Sequence, residues 1–136
     1  VKFDTKIAVV LRDDLMPWQA LNVTAFTVSG IAGTVEGLVG EPYEDGSGNT
    51  YLPMFRQPVM IFQASAAQMK TVYARARSRE VSFSLFTEEL FATGNDLDNR
   101  AAVKAYTQED LRIVGMAMWA EKKSVDKVLS GLPLHP

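Results

Sequence analysis

A chain of 136 residues with 47% hydrophobic and 22% charged content is sized for one domain, 1–136, burying roughly two thirds of the surface it exposes when unfolded. The absence of cysteine excludes a disulfide framework, a thiolate nucleophile and a sulfur-ligated zinc site. A formal net charge of −2 offers no general attraction for nucleic acid, and the apolar runs are strand-sized, so no membrane partner is expected and the chain reads as cytoplasmic.

IAVVL, residues 7 to 11, is a continuous apolar run of the kind that forms a strand covered on both faces. Pro17 then opens a helix expected to run to about Thr34, with Trp18, Leu21, Ala25, Val28, Ala32 and Val35 as its buried stripe. Gly30 and Gly33 are expected to permit close backbone approach. Residues 40 to 57 carry Asp-Gly and Gly-Asn turn signals between Tyr43 and Tyr51, which indicates a hairpin-like excursion. After Pro58, VMIF is a second buried strand. Ser65 and Gln68 form a capping-box signature for a helix whose apolar face is Met69, Val72, Tyr73 and Ala76, ending near Ser78. In the third strand Val81, Phe83 and Leu85 alternate with Ser82 and Ser84, so one face is buried and the other is polar or covered by something small. A long polar connection from about Thr87 to Gln108 is expected to contain a helical turn around 99 to 105. Ile113 to Trp119 is another buried strand, and Val125, Val128, Leu129 and Leu132 mark a last amphipathic helix.

This order of elements predicts an α/β fold: a three-layer α/β/α sandwich around a mixed, mostly parallel sheet of about four strands. Ligands in open sheets of this kind sit outside the carboxyl ends of the strands, which directs attention to residues 12–18, 63–65, 86–93 and 119–121.

KIAVVLRDDL followed by a small-residue helix, SFSLFTEELFATG, and VGMAMWAEKKSVDKVLSGLPL together resemble type II peptidyl-tRNA hydrolases. LRDDLMPWQALNVTAF, GEPYEDGSGNTYLPMFRQP and KKSVDKVLSGLPLHP resemble more closely a bacterial family of unknown function thought to share that fold. The resemblance implies a peptidyl-tRNA hydrolase II-like fold, a homodimer, and a catalytic set of Asn22, Glu88 and Thr93. It also brings Asn22 to the position of the hydrolases' lysine and Phe26 to that of their glutamine. Asn22 donates a hydrogen bond but carries no charge to stabilise an oxyanion or hold a phosphate.

The remaining polar clusters have a chemical and a structural reading each. Asp13 and Asp14 have the composition of an acid/base pair, but neighbours on an extended chain point apart and acids before a helix commonly cap it. NDLDNR, residues 95 to 100, mixes carboxylates, amides and a guanidinium, suited to a polar ligand or to local turns and pairs. DGSGN at 45 to 49 lacks the helix and Lys-Ser/Thr pair of a phosphate loop and reads as a turn. Lys70, Arg75, Arg77 and Arg79, and Lys122, Lys123 and Lys127, would form either RNA-binding or merely solvated helix faces. Trp18 and Trp119 would either wall a pocket or pack in the core. His135, the only histidine, is too near the chain's end for a Ser-His-Asp triad. Asp14, Trp18, Asn95, Asn99 and Arg100 are therefore the expected ligand-binding rim, with no metal and no cofactor. The favoured expectation is a binding module for a small polar ligand or protein partner; the alternative is a divergent hydrolase acting on peptidyl-tRNA or a related acyl ester.

Overall fold

In the computed structural model, which describes residues 2–136 and so leaves only Val1 of the expected domain outside the described residues, a four-stranded sheet carries helices on both faces. Strand β1 (Thr5–Arg12) is shielded from water on either side, and Ile7 through Leu11 are all buried. Helix α1 (Pro17–Thr34) starts with Pro17, and the Gln19 side chain accepts from the Met16 amide, replacing the bond that no preceding turn can supply. A small hairpin, β2 (Tyr43–Glu44) and β3 (Thr50–Tyr51), occupies part of the 40–57 excursion. Strand β4 (Val59–Ala64) leads into α2 (Ala66–Ser78), whose Ser65–Gln68 pair exchanges both bonds of a capping box. Strand β5 (Phe83–Thr87) is followed by a 3-10 turn over Glu88–Ala92, helix α3 (Asp96–Lys104), strand β6 (Ile113–Glu121) and helix α4 (Lys122–Val128).

The strand order is β4-β1-β6-β5, and here the expectation of a mostly parallel sheet fails. β1 pairs β4 in parallel, but β6 lies between β1 and β5 and runs against both, so two of the three ladders are antiparallel. The reason lies in residues 88–112. This segment turns back at the edge where β5 ends, so β6 enters from that edge without a crossover, and antiparallel pairing requires none. The polar composition of the segment does not specify whether it crosses.

Each face has its own core. Met69, Val72 and Ala76 of α2 and Val125 and Val128 of α4 pack on Ala8, Val10, Met116 and Met118. Ala20, Val23 and Ile31 of α1 pack on Ile7, Val9, Leu11 and Ala117. The buried stripe of α1 is thus Ala20, Val23, Thr27 and Ile31, rotated from the expected one; Leu21 of the expected stripe is 73% exposed. The rotation allows close packing at β6 and β5. Gly115 admits Val23, and Gly30 lies against Ser84, whose hydroxyl donates to the Thr27 carbonyl at 2.6 Å. Apart from its chain neighbours and its own helix backbone, nothing among the described residues lies within 4 Å of where a Gly33 Cβ would stand, so only Gly30 of the two helix glycines makes a close approach. At the far edge, the chain after α4 runs beside β4: Gln63 donates to the Pro133 carbonyl at 3.0 Å and His135 to the Ile61 carbonyl at 2.9 Å. No helix among the described residues is long and apolar enough to cross a membrane.

Candidate functional site

The carboxyl ends of β1, β4 and β5 share one edge of the sheet with the start of β6. On the α1 side of this edge lies a cleft of about 440 Å³, a size that accommodates a small organic ligand. Its floor is aromatic. Trp18 meets Phe91 edge-on at 5.7 Å between centroids, Phe91 meets Phe86 at 5.0 Å, and Phe86 meets Phe26 edge-on at 5.9 Å. Helical spacing carries Trp18, Asn22 and Phe26 to one side of α1, four residues apart, while β5 supplies Phe86 and the 3-10 turn supplies Phe91. Edge-on rings leave π faces available to a planar group. Trp18 is 54% exposed and Phe26 51%, an unusual concentration of uncovered aromatic surface on one helix.

Amides and hydroxyls form the rim. Asn22 is half-buried, and among the described residues its side chain hydrogen-bonds to no protein group. Thr93 has one proton and faces two acceptors, the Leu90 carbonyl at 2.9 Å and Asn99 Oδ1, so it serves one at a time. The Asn95 side chain accepts from the Asp98 amide at 2.9 Å and thereby caps α3, while its Nδ2 donates to the Asp98 carboxylate at 2.9 Å. Asp96, the single titratable group of the lining among the described residues, is bound by Arg100 at 2.7 Å on the exposed surface of α3. The cleft is therefore polar without free charge.

Five of the eight expected site residues meet here: Trp18, Asn22, Thr93, Asn95 and Asn99. The other three do not line it. Arg100 turns to Asp96, and Asp14 and Glu88 belong to an ion-pair cluster at the same edge. In that cluster Arg12 Nε donates to Asp14 Oδ1 and Arg12 Nη1 to Glu88 Oε1, each at 2.6 Å. Arg112 stands 3.7 Å from Glu88 Oε2 and 3.4 Å from Glu89 Oε1. The hydrogen bond from Arg12 holds the Asp14 carboxyl below the usual carboxylate range, and the charge of Glu89, with the Tyr106 hydroxyl, raises Arg112. Both Glu89 oxygens are shut off from solvent and form no hydrogen bond, and the neighbouring Thr87 hydroxyl is likewise buried without a partner. No metal-holding group of three or more His, Cys, Asp or Glu residues occurs among the described residues.

Trp119 lies elsewhere. Because β6 runs against its neighbours, its end pairs with Ile7 near the start of β1, so residues 119–121 sit at the edge opposite the cleft and the two tryptophans do not share a wall. Arg12, Phe86 and Phe91 fall within the strand-end windows 12–18 and 86–93, although none is singled out there as a site residue; Ser29 and Arg112 lie outside every window and carry no sequence signal.

The fold and site define an α/β protein built on a mixed sheet flanked by helices, with an uncharged aromatic cleft at the strand ends. Residues 5–136 match the family described as "Protein of unknown function (DUF2000)", and the chain belongs to that family. It is similar to a solved structure of a protein of unknown function from Agrobacterium tumefaciens, with 44% sequence identity and a TM-score of 0.96 over 99% of this chain and 100% of that one. Comparison with curated proteins gives no match. Neither the family nor the solved structure supports the resemblance to type II peptidyl-tRNA hydrolases, and the mostly antiparallel sheet does not match the fold expected from it. The hydrolase-like and peptidyl-tRNA readings that depended on that fold fall with it.

Proposed function

We propose that the cleft between α1 and α3 binds a small, uncharged ligand carrying a planar ring and several hydrogen-bonding groups. The observation that carries this reading is the run of four aromatic rings lining the same cleft as the Asn22 carboxamide, which among the described residues hydrogen-bonds to no protein group. A half-buried amide with vacant donor and acceptor positions recognises a ligand that offers the complementary pair, and the exposed rings of Trp18 and Phe26 take the ligand's flat face. Thr93 and Asn99 supply further hydrogen bonds from the opposite wall, with Asn95 holding α3 in place as its cap. Charge sets the selectivity: among the described residues the only lining acid, Asp96, is already paired and no cation lines the cleft, so a phosphorylated form of the same ligand is disfavoured.

Trp18 offers a reporter. In a Trp119→Phe background its emission is the only indole signal, and titration with a panel of nucleosides and aromatic amides should give a saturable change with at least one member. Asn22→Leu should weaken that binding about tenfold or more, since one hydrogen bond to a desolvated amide is lost and the site's polarity with it. The 5′-monophosphate of a nucleoside that binds should bind less tightly. A panel without any saturable response, or an Asn22→Leu variant that binds like its parent, overturns the proposal.

A further inference from the structure

The charge of this protein is segregated in space. Helix α2 with its cap residue Arg79, together with α4, carries Lys70, Arg75, Arg77, Arg79, Lys122, Lys123 and Lys127 against one acid, Asp126, a net of +6. The rest of the chain holds the other seven cations and fifteen acids, a net of −8. All seven cations of the helix pair are exposed, and none is ion-paired among the described residues. Asp126 is itself already engaged by Lys6 of β1 at 2.7 Å. Acids flank this face: Glu80 and Glu109 lie beside Arg77, Glu121 precedes Lys122, and the Asp4 carbonyl accepts from the Lys122 amide.

The two helices pack side by side on the sheet face opposite α1, and an open groove of about 870 Å³ lies along them. Lys70, Arg75 and Arg79 line it together with the hydroxyls of Thr71, Ser78 and Ser124. Thr71, Arg75 and Arg79 follow at four-residue intervals, each about 6 Å of helical rise from the next. Arg75 Nη1 donates to the Ser130 carbonyl at 3.1 Å and the Thr71 hydroxyl to the Ala67 carbonyl at 3.5 Å. This leaves the remaining N–H groups of Arg75 and the whole Arg79 guanidinium to face phosphate oxygens, a geometry that two parallel N–H groups of one Arg suit.

A merely solvated helix face does not account for the arrangement. Cations at the end of α2 favour its dipole, but Lys122 and Lys123 occupy the first turn of α4, where the dipole opposes them. Arg75 and Arg79 repel each other one turn apart. Charges held against local electrostatics in this way point to a ligand that neutralises them. The exposed uncharged residues of α2 are Ala66, Ala67, Gln68, Thr71, Ala74 and Ser78, without the Trp, Phe or Leu anchors with which an interfacial helix enters a lipid surface.

We propose that the α2–α4 groove binds the phosphodiester backbone of a nucleic acid, at a site separate from the aromatic cleft. Fluorescence anisotropy with a labelled single-stranded oligonucleotide tests it. Binding should appear at low salt and weaken roughly 20- to 50-fold between about 50 and about 200 mM, as neutralising three to four phosphates of a single strand requires. Arg75→Glu with Arg79→Glu should lower affinity at least about tenfold at fixed salt, while Arg100→Glu with Lys104→Glu, the same change of net charge on α3, should leave it within about twofold. Far-UV circular dichroism verifies that both variants are folded, all four side chains being exposed. Absence of binding by the parent, equal loss in both variants, equally effective competition by poly-glutamate, or binding of anionic lipid vesicles in place of the oligonucleotide would each overturn the proposal.

Discussion

A methyl group added at Gly115 would stand 2.2 Å from Val23 Cγ1, and Val23 is a fully buried, β-branched side chain with little rotamer freedom on a helix. Gly115→Ala should therefore destabilise the fold by about 1–3 kcal/mol through overpacking, read as a lower urea midpoint, and Val23→Ala added to it should restore part of the loss. A second residue-scale consequence lies in the hairpin. Asp45 accepts from the Tyr51 hydroxyl, the Asn49 amide and side chain, and the Ser47 amide, which together hold its carboxyl down at about 2. Since the folded value is depressed, the turn's contribution to stability is complete above the unfolded value near 4 and is lost as pH falls through about 2. An NMR titration should find the Asp45 midpoint there, and Tyr51→Phe, which removes the largest cause, should move it upward. Asp-Gly and Gly-Asn made this turn legible in the sequence; the Tyr51 hydroxyl bond was not, because register decides which side chain reaches the carboxylate.

Elements were more legible than the faces they bury. The chain positions of β1, α1, α2, β6 and α4 follow from apolar period and capping residues, but α1 is so apolar that its sequence supports more than one buried stripe. The eighteen residues of α1 include no charged side chain, so nothing marks the solvent side, and Thr27 rather than a larger apolar residue faces the sheet. The same ambiguity blurred the cleft: Trp18 reads both as part of the buried stripe and as part of the ligand-binding rim, and nothing in the apolar pattern sets Phe26 beside it on the open side. The candidate polar residues were recoverable from local composition, yet their roles depend on partners: Asn95 caps, Arg100 pairs with Asp96, and Asn22 faces the cleft with no hydrogen-bond partner among the described residues. At the opposite edge, the strand-like tail that covers β4 carries no strand signature, since Pro133 and Pro136 interrupt it. Removing residues 133–136 takes away two backbone hydrogen bonds and bares the β4 edge. A loss of about 1–3 kcal/mol is expected in urea unfolding, with concentration-dependent association visible by light scattering.

For the molecule as a whole, the net charge of −2 conceals an arrangement in which +6 and −8 occupy different regions. Summing the sequence averages over exactly the separation that folding creates when α2 and α4, more than forty residues apart in the chain, come to lie side by side. The direction of the sheet was hidden for a similar reason: three of the four strands share one direction, as the alternating pattern of elements suggests, and only the placement of β6 makes most ladders antiparallel. That placement also orders events in time. During synthesis β1, β4 and β5 leave the ribosome well before residues 113–121, yet β1 and β5 have no ladder with each other and must wait for the late-made strand to join them. Until then the nascent chain exposes an unfilled gap in the middle of its sheet, with the inner edges of β1 and β5 unpaired, so strand 113–121 acts as the keystone whose arrival closes both ladders together.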